Sequence, residues 1–294
     1  MRRALATAAV AVLLATVAAA QYQGQVDVTA VVAPVTVRDA RGRVVTDVSP
    51  EEFRLWVDGI PVPIQDLTLE SDLPLALGFV LDTSGSMEGR KMAACRSLVM
   101  AFLAERRAED EVGLWTFGND RVLERFPFGM GWYLLPRVLE EIRPWSTTAL
   151  YDMVLRVPDV MEKATHPRRA AILLTDGVDN ASEIGPQRAT GVARQLETPV
   201  YVLGVEPPPG QVGGASYEEI LTLLADSSGG YYRRVPTAEQ MPEVVRTLLK
   251  ELSSRYILTF TTSGVGHETW RTIEVKVEGH DVDHRKGYTG TLPG

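Results

Sequence analysis

The sequence predicts a doubly wound α/β fold, with a mainly parallel sheet, helices on both faces and a small β module beside it. Three observations carry that expectation. Continuous apolar runs, "PLALGFVLD", "RRAAILLTDG" and "PVYVLGVE", read as strands buried on both faces. Segments of helical periodicity stand between them, and strands alternating with helices imply parallel pairing through crossovers. The two ends of the chain are rich in β-branched residues and turn pairs instead.

At the start, "VDVTAVVAPVTV" (26–37) reads as a strand. Arg41-Gly42 and Asp58-Gly59 then sit between β-prone runs as hairpin turns would. These strands are too few and short to stand alone, so they are expected to pair with strands elsewhere. The texture changes at Pro74. "GRKMAACRSLVMAFLAERR" has a helical period, with Arg106 and Arg107 expected in its last turn, where the helix dipole favours cations. "DEVGLWTFG" and "RVLERFPF" read as strands. "WYLLPRVLEEIR" and "TALYDMVLRVPDVMEKA" read as helices, the second kinked or broken at Pro158. "PQRATGVARQLE" and "SYEEILTLLADSSGG" are further helices, and "YYRRV" a short strand. "TAEQMPEVVRTLLKELSS" closes the unit as a helix capped by Thr237. The tail returns to β in "YILTFTTS", "WRTIEVKVEG" and the piece near "GYTG", and is expected to join the N-terminal strands in one module.

Twenty residues precede all of this. "MRRALATAAVAVLLATVAAAQ" has Arg2 and Arg3, an apolar run and Ala18-Ala19-Ala20, the pattern of a cleaved signal peptide rather than of a retained anchor. The expected organisation is therefore a signal peptide (1–20), an N-terminal β segment (21–73), the α/β domain (74–250) and a C-terminal β segment (251–294). Loss of the two arginines, with no acid, takes the net charge from −8 to −10. Short basic pairs such as Arg168-Arg169 and Arg233-Arg234 make no concentrated positive field, which argues against nucleic acid as a partner. No second apolar stretch is long enough to span a bilayer, so the mature protein is expected in the periplasm or outside the cell. Cys95 is the sole cysteine. With Met92, Val99 and Phe102 it falls on one helical face and reads as a buried apolar residue, leaving stability to the core.

The chemistry gathers where the buried strands end. The first ends in Asp82-Thr83-Ser84-Gly85-Ser86 and another in Thr175-Asp176-Gly177. Parallel strands put these ends on one sheet edge, where α/β proteins bind ligands. "STTALYDM" adds Ser146, Thr147 and Thr148 just before a helix. Asp82, Ser84 and Ser86 are spaced by two, which sends their side chains the same way, and Gly85 is read as a residue that lets the chain bend. The set contains only oxygen donors. That excludes the ligand sets usual for zinc or copper and leaves hard cations, with Mg²⁺ first because it keeps several waters, and Ca²⁺ or Mn²⁺ as alternatives.

"DTSGSM" before a helix, the later Thr148-Ala-Leu-Tyr-Asp152 segment and "LLTDG" closing a buried strand resemble the von Willebrand factor type A domain. The three loops look like its metal-ion-dependent adhesion site. The resemblance covers roughly residues 74–250 and implies Asp82, Ser84, Ser86, Thr148 and Asp176 as metal ligands. Where the family usually has two glycines before its threonine, this chain has Ser146 and Thr147, so Thr147 stands as an alternative to Thr148. The flanks, "VTVRDARGRVVTDVSPEEFRLWVDGIPVPIQDL" and "ELSSRYILTF…WRTIEVKV…HRKGY", resemble a bacterial exported subfamily.

The resemblance implies a protein-binding module whose partner offers an Asp or Glu to complete the coordination of the cation. Two other readings stand beside it. Asp82 with Mg²⁺ suggests phosphoryl transfer, but Ser84 stands where haloacid-dehalogenase-like enzymes need a second Asp, and neither a Walker A sequence nor a nucleophile elbow is present. In the third reading the metal only stiffens the loops and the β module carries the interaction. Asp152 and Asp179 read either as acceptors orienting metal-bound groups or as surface acids. His267, His280 and His284 read as exposed loop histidines. "PPPGQVGG" (207–214) reads either as a partner-selecting loop on the metal-bearing side or as a flexible insertion.

Overall fold

The computed structural model describes residues 29–70, 73–119, 121–235, 241–262 and 270–289. Residues 1–20, expected as a signal peptide, together with Thr237 and His267, lie outside them. In chain order, the N-terminal part supplies β1 (Thr29–Arg38), β2 (Phe53–Val57), β3 (Ile60–Pro61) and β4 (Asp66–Leu69). The central part runs β5 (Leu75–Asp82), α1 (Arg90–Glu105), β6 (Glu111–Gly118), β7 (Arg121–Phe126), α2 (Leu135–Glu141), α3 (Leu150–Met161), β8 (Arg168–Thr175), α4 (Pro186–Ala193), β9 (Val200–Gly204), β10 (Gln211–Val212), β11 (Ala215–Ser216), α5 (Tyr217–Ser228), β12 (Tyr232–Arg234) and α6 (Met241–Leu252). The C-terminal part adds β13 (Tyr256–Thr262), β14 (Trp270–Val277), β15 (Asp281–His284) and β16 (Gly287–Thr289).

The central sheet has the order β12-β9-β8-β5-β6-β7, with every neighbouring pair parallel except β6 and β7. All residues of β5 and of β6 are buried, as expected of strands covered on both sides. One face packs α1, α2 and α6 through Leu98, Phe102, Leu139 and Leu248; the other packs α3, α4 and α5 through Val154, Ala189 and Leu221. Burying each such large side chain contributes about 1.5–3 kcal/mol. Cys95 lies at 0% exposure within the first cluster.

From β5 the chain winds to β6 on one side and returns to β8 on the other. The winding reverses between β5 and β8, and the crevice beyond their carboxyl ends is where an open α/β sheet receives ligands. Asp82 is the last residue of β5 and Asp176 follows the last of β8.

The terminal strands pair as expected. β1 runs antiparallel to β13 and β2 to β14, building the four-stranded sheets β15-β1-β13-β4 and β16-β14-β2-β3 around Val35, Leu55, Leu258 and Phe260. Asp58 (φ 49°) and Gly59 (φ 77°) form the left-handed turn that joins β2 to β3.

Several local expectations change. Helix α3 runs through Pro158 to Met161 without breaking. Arg106 and Arg107 lie just beyond α1, and the Arg106 guanidinium stacks 4.3 Å from the Trp132 ring centre. Arg168, half of a short basic pair in the sequence, is buried: it opens β8 at 2% exposure. "PPPGQVGG" contains β10 and the glycine turn of the β10–β11 hairpin, which delivers Ser216 as the N-cap of α5 in a reciprocal capping box with Glu219. His284 is half-buried in β15, and its Nε2 accepts the Val275 N–H at 3.3 Å.

Candidate metal centre

Three loops meet beyond β5 and β8. In the first, the Asp82 carboxylate is fully buried. Its Oδ1 accepts the Ser84 N–H at 2.8 Å and its Oδ2 accepts the Thr175 hydroxyl at 2.7 Å. Burial pushes its pKa up to about 6; the Thr175 and Ser84 hydrogen bonds oppose this and the nearby charge of Asp176 adds to it. Ser84 caps a short 3-10 turn, Gly85–Met87, that brings the Ser84 and Ser86 hydroxyls within 3.0 Å of each other. Ser86 is exposed and Met87 is core. Gly85 has no left-handed φ, so the bend belongs to the 3-10 turn and not to glycine freedom.

The second loop is laced to the first by backbone bonds. Gly85 N–H donates to Ser146 O at 2.8 Å and Trp145 N–H to Thr83 O at 2.9 Å, with Ser84 and Ser146 bridged in parallel. A Cβ on Gly118 would lie 1.8 Å from the Ser146 hydroxyl, so only glycine lets this loop close on the end of β6. The two threonines then separate. The exposed Thr147 donates its hydroxyl to Asn119 Oδ1 at 2.7 Å. Thr148 is at 0% exposure and its Oγ1 has no hydrogen-bond partner among the described residues. Its backbone is fixed from the third loop: Asn180 Oδ1 accepts its N–H at 2.9 Å, and its carbonyl accepts the N–H groups of Asn180 and Ala181.

In the third loop Asp176 is fully buried. Its Oδ1 accepts the Val178 N–H at 3.2 Å and its Oδ2 accepts the Lys91 ammonium at 2.8 Å. Gly177 (φ 81°) takes the left-handed conformation that turns the chain there.

Asp152 and Asp179 both accept backbone N–H groups that tie the third loop to α3. Asp179 Oδ2 accepts the Tyr151 N–H at 3.1 Å, helped by Ser182 Oγ, so it caps α3 from outside the helix. Asp152 accepts the N–H groups of Glu183 and Ile184 and pins that loop. Thr175 reads in the sequence only as a strand end, and the residues missed there are Asn180, Asn119 and above all Lys91. A cation in the first turn of a helix opposes the dipole, and that was the available signal for Lys91.

Among the described residues no three His, Cys, Asp or Glu side chains converge as a metal cluster. The three linked loops carry two buried carboxylates and several hydroxyls, one of them buried without a partner among the described residues. That donor set fits a hard divalent cation and no soft one.

A family model described as the von Willebrand factor type A domain matches residues 77–247. The chain belongs to that family. Von Willebrand factor type A domains are generally protein-interaction and adhesion modules without catalytic activity, and they often hold a divalent metal. The chain is 27% identical over 179 residues to inter-alpha-trypsin inhibitor heavy chain H3 of Rattus norvegicus, which covers 55% of this chain and 19% of that protein. It is 28% identical over 127 residues to heavy chain H4 of Sus scrofa, covering 40% of this chain and 14% of that one. The chain thus spans less than a fifth of the length of these curated relatives. Among solved structures it is similar in fold to a von Willebrand factor type A protein from Catenulispora acidiphila (TM-score 0.52, 12% identity, 86% of this chain and 74% of that one). It is also similar in fold to proximal thread matrix protein 1 from the mussel byssus (TM-score 0.51, 15% identity, 68% and 51%). No helix among the described residues is long and apolar enough to cross a membrane; this says nothing of spans made by strands.

Proposed function

We propose that this chain is an exported, cation-dependent protein-binding module. Asp82, Ser84, Ser86, Thr148 and Asp176 hold Mg²⁺, or Ca²⁺ or Mn²⁺ in its place, and a partner's Asp or Glu completes the coordination. The observation that carries this reading is the Thr148 hydroxyl, buried without a partner in a loop pinned to both carboxylate-bearing loops. Leaving such a group unsatisfied costs about 1–3 kcal/mol, and a bound ion is one of the few explanations for it. Asp82 fits the same reading. Burial makes its ionised form costly, and a cation would offset that cost.

The protein's own part is preorganisation. The Ser84 N–H and the Thr175 hydroxyl fix the Asp82 carboxylate, the backbone bonds from Ser146 hold the serine turn, and Asn180 fixes Thr148. When bound, the cation supplies an electrophilic position for an incoming carboxylate. Two ligand carboxylates nearly balance its charge, while neutral hydroxyls leave it receptive to a third anion. The alanine-rich segment at 1–20 supports export.

The test is capture of envelope and secreted proteins of the native host by immobilised wild type, with and without EDTA, beside Asp82→Ala and Ser84→Ala. Capture that EDTA and both variants abolish is expected. Undiminished capture in all three arms would sink the reading.

A further inference from the structure

Helix α1 opens Arg90-Lys91-Met92 with no acid in its first turn. Two cations there oppose the helix dipole unless each meets an anion. Arg90 pairs with Glu206 at 2.8 Å, but its side chain is 84% exposed, and such pairs add little. Lys91 is different. Its side chain is 16% exposed and its ammonium lies 2.8 Å from Oδ2 of the fully buried Asp176.

The ammonium therefore sits on an oxygen of a residue assigned above to the cation. Within a few ångströms, in surroundings far less polar than water, an ammonium and a divalent ion repel strongly. One carboxylate oxygen does not serve both at full strength. Lysine suits a role in which one must give way, because its four-carbon stem lets the charge move without moving the helix.

Building on the cation reading, we propose that Lys91 is an internal competitor of the divalent ion. In the cation-free protein it neutralises Asp176 and keeps the loops assembled. For Asp176 to serve as a ligand the Lys91 ammonium would have to leave it, and that cost would weaken net affinity for the cation. The centre then fills and empties with the divalent concentration around it, instead of holding its ion permanently.

The experiment is a Mn²⁺ titration of the full-length mature chain, read by the loss of the free-ion electron paramagnetic resonance signal. A second readout is the melting temperature in EDTA and at saturating Mn²⁺. Lys91→Gln keeps a donor to Asp176 without the charge, and Lys91→Arg keeps the charge; Asp82→Ala is the ligand control. Expected are a dissociation constant at least tenfold lower in Lys91→Gln, a lower melting temperature in EDTA and a larger rise on adding Mn²⁺. Lys91→Arg should bind no tighter than wild type. Wild-type binding with Lys91→Gln equal or weaker would overturn the proposal and leave Lys91 as a residue that orients Asp176. Tightening in Lys91→Arg as well would overturn it too, since charge would not be the cause. If wild type binds no Mn²⁺, or Asp82→Ala binds as well as wild type, the cation reading falls and takes this inference with it.

Discussion

At the N-terminal end of the six-stranded sheet the buried charges include two guanidiniums beside the acid Glu111; at the C-terminal end they are carboxylates. Arg168, the first residue of β8, donates to the carbonyls of Leu73 and Leu252, and its Nε lies 3.8 Å from Glu70 Oε2. Arg255, just before β13, donates to the same oxygen at 3.2 Å and lies 3.4 Å from the Tyr201 hydroxyl. The contacts are long side chains gripping backbone and a fixed acid, and they join the terminal strands to the α/β unit. Thr175, the last residue of β8, stands about 23 Å away by strand rise. There the acids Asp82 and Asp176 are met by small donors and one flexible ammonium, and a buried hydroxyl is left without a partner. On the proposed reading, the end that joins uses groups with no reason to leave, while the end that would exchange a ligand keeps a hydroxyl that is incomplete without it.

The largest effect should come from breaking the joining end. Glu70→Ala strands two buried guanidiniums, and removing one partner of such a pair typically costs about 3–5 kcal/mol. Urea unfolding should show that loss, while Mn²⁺ affinity stays within about twofold of wild type. An affinity that falls in step with stability would show the two ends to be one unit.

A smaller effect separates the ends by pH. The Asp82 carboxyl has a folded pKa of about 6 against an ordinary value of 3.8, so between those values the native state holds a proton that the unfolded chain has released. Its contribution is therefore fully present below about 3.8 and is lost as pH rises through about 6, a cost on the order of 3 kcal/mol. The difference in unfolding free energy between wild type and Asp82→Asn, measured in EDTA from pH 4 to 8, should move against wild type over that window. Saturating Mg²⁺ should close the gap at pH 7, and cation affinity should fall below about pH 6 as protons compete. A flat difference would mean that the two ends carry their charge in the same way.

The two ends were not equally legible. The buried strands announce themselves because burial on both faces leaves "LALGFVLD" without polar alternation, and the oxygen donors at their ends are readable as chemistry. The joining end is opaque. Arg168 looks like half of a basic pair, and its burial depends on Glu70 and Leu252, at great separation along the chain. The pairing of β1 with β13 is set by main-chain bonds that side-chain pattern does not encode. Lys91 was hidden by the amphipathic helix it opens, although its position against the dipole marks it. The loop-tying contacts of Asp152 and Asp179 are not legible because their partners are backbone N–H groups, which nearly every residue carries.

The smallest effect is also the sharpest, because it moves stability and affinity in opposite directions. Thr148→Val replaces the orphaned hydroxyl with a methyl of nearly the same shape. The backbone bonds to Asn180 and Ala181 do not involve the side chain. At the joining end, removing Glu70 leaves the guanidiniums of Arg168 and Arg255 without their acid. Here no partner is left behind, so removal relieves a desolvation penalty and the cation-free protein should gain about 1 kcal/mol. Mn²⁺ affinity should fall at least tenfold in the same variant. Thermal melts in EDTA and a Mn²⁺ titration read the two quantities separately. A variant that loses stability would show that the Thr148 hydroxyl already has a partner within the protein, and the contrast between the ends would then rest on Lys91 and the carboxylates alone.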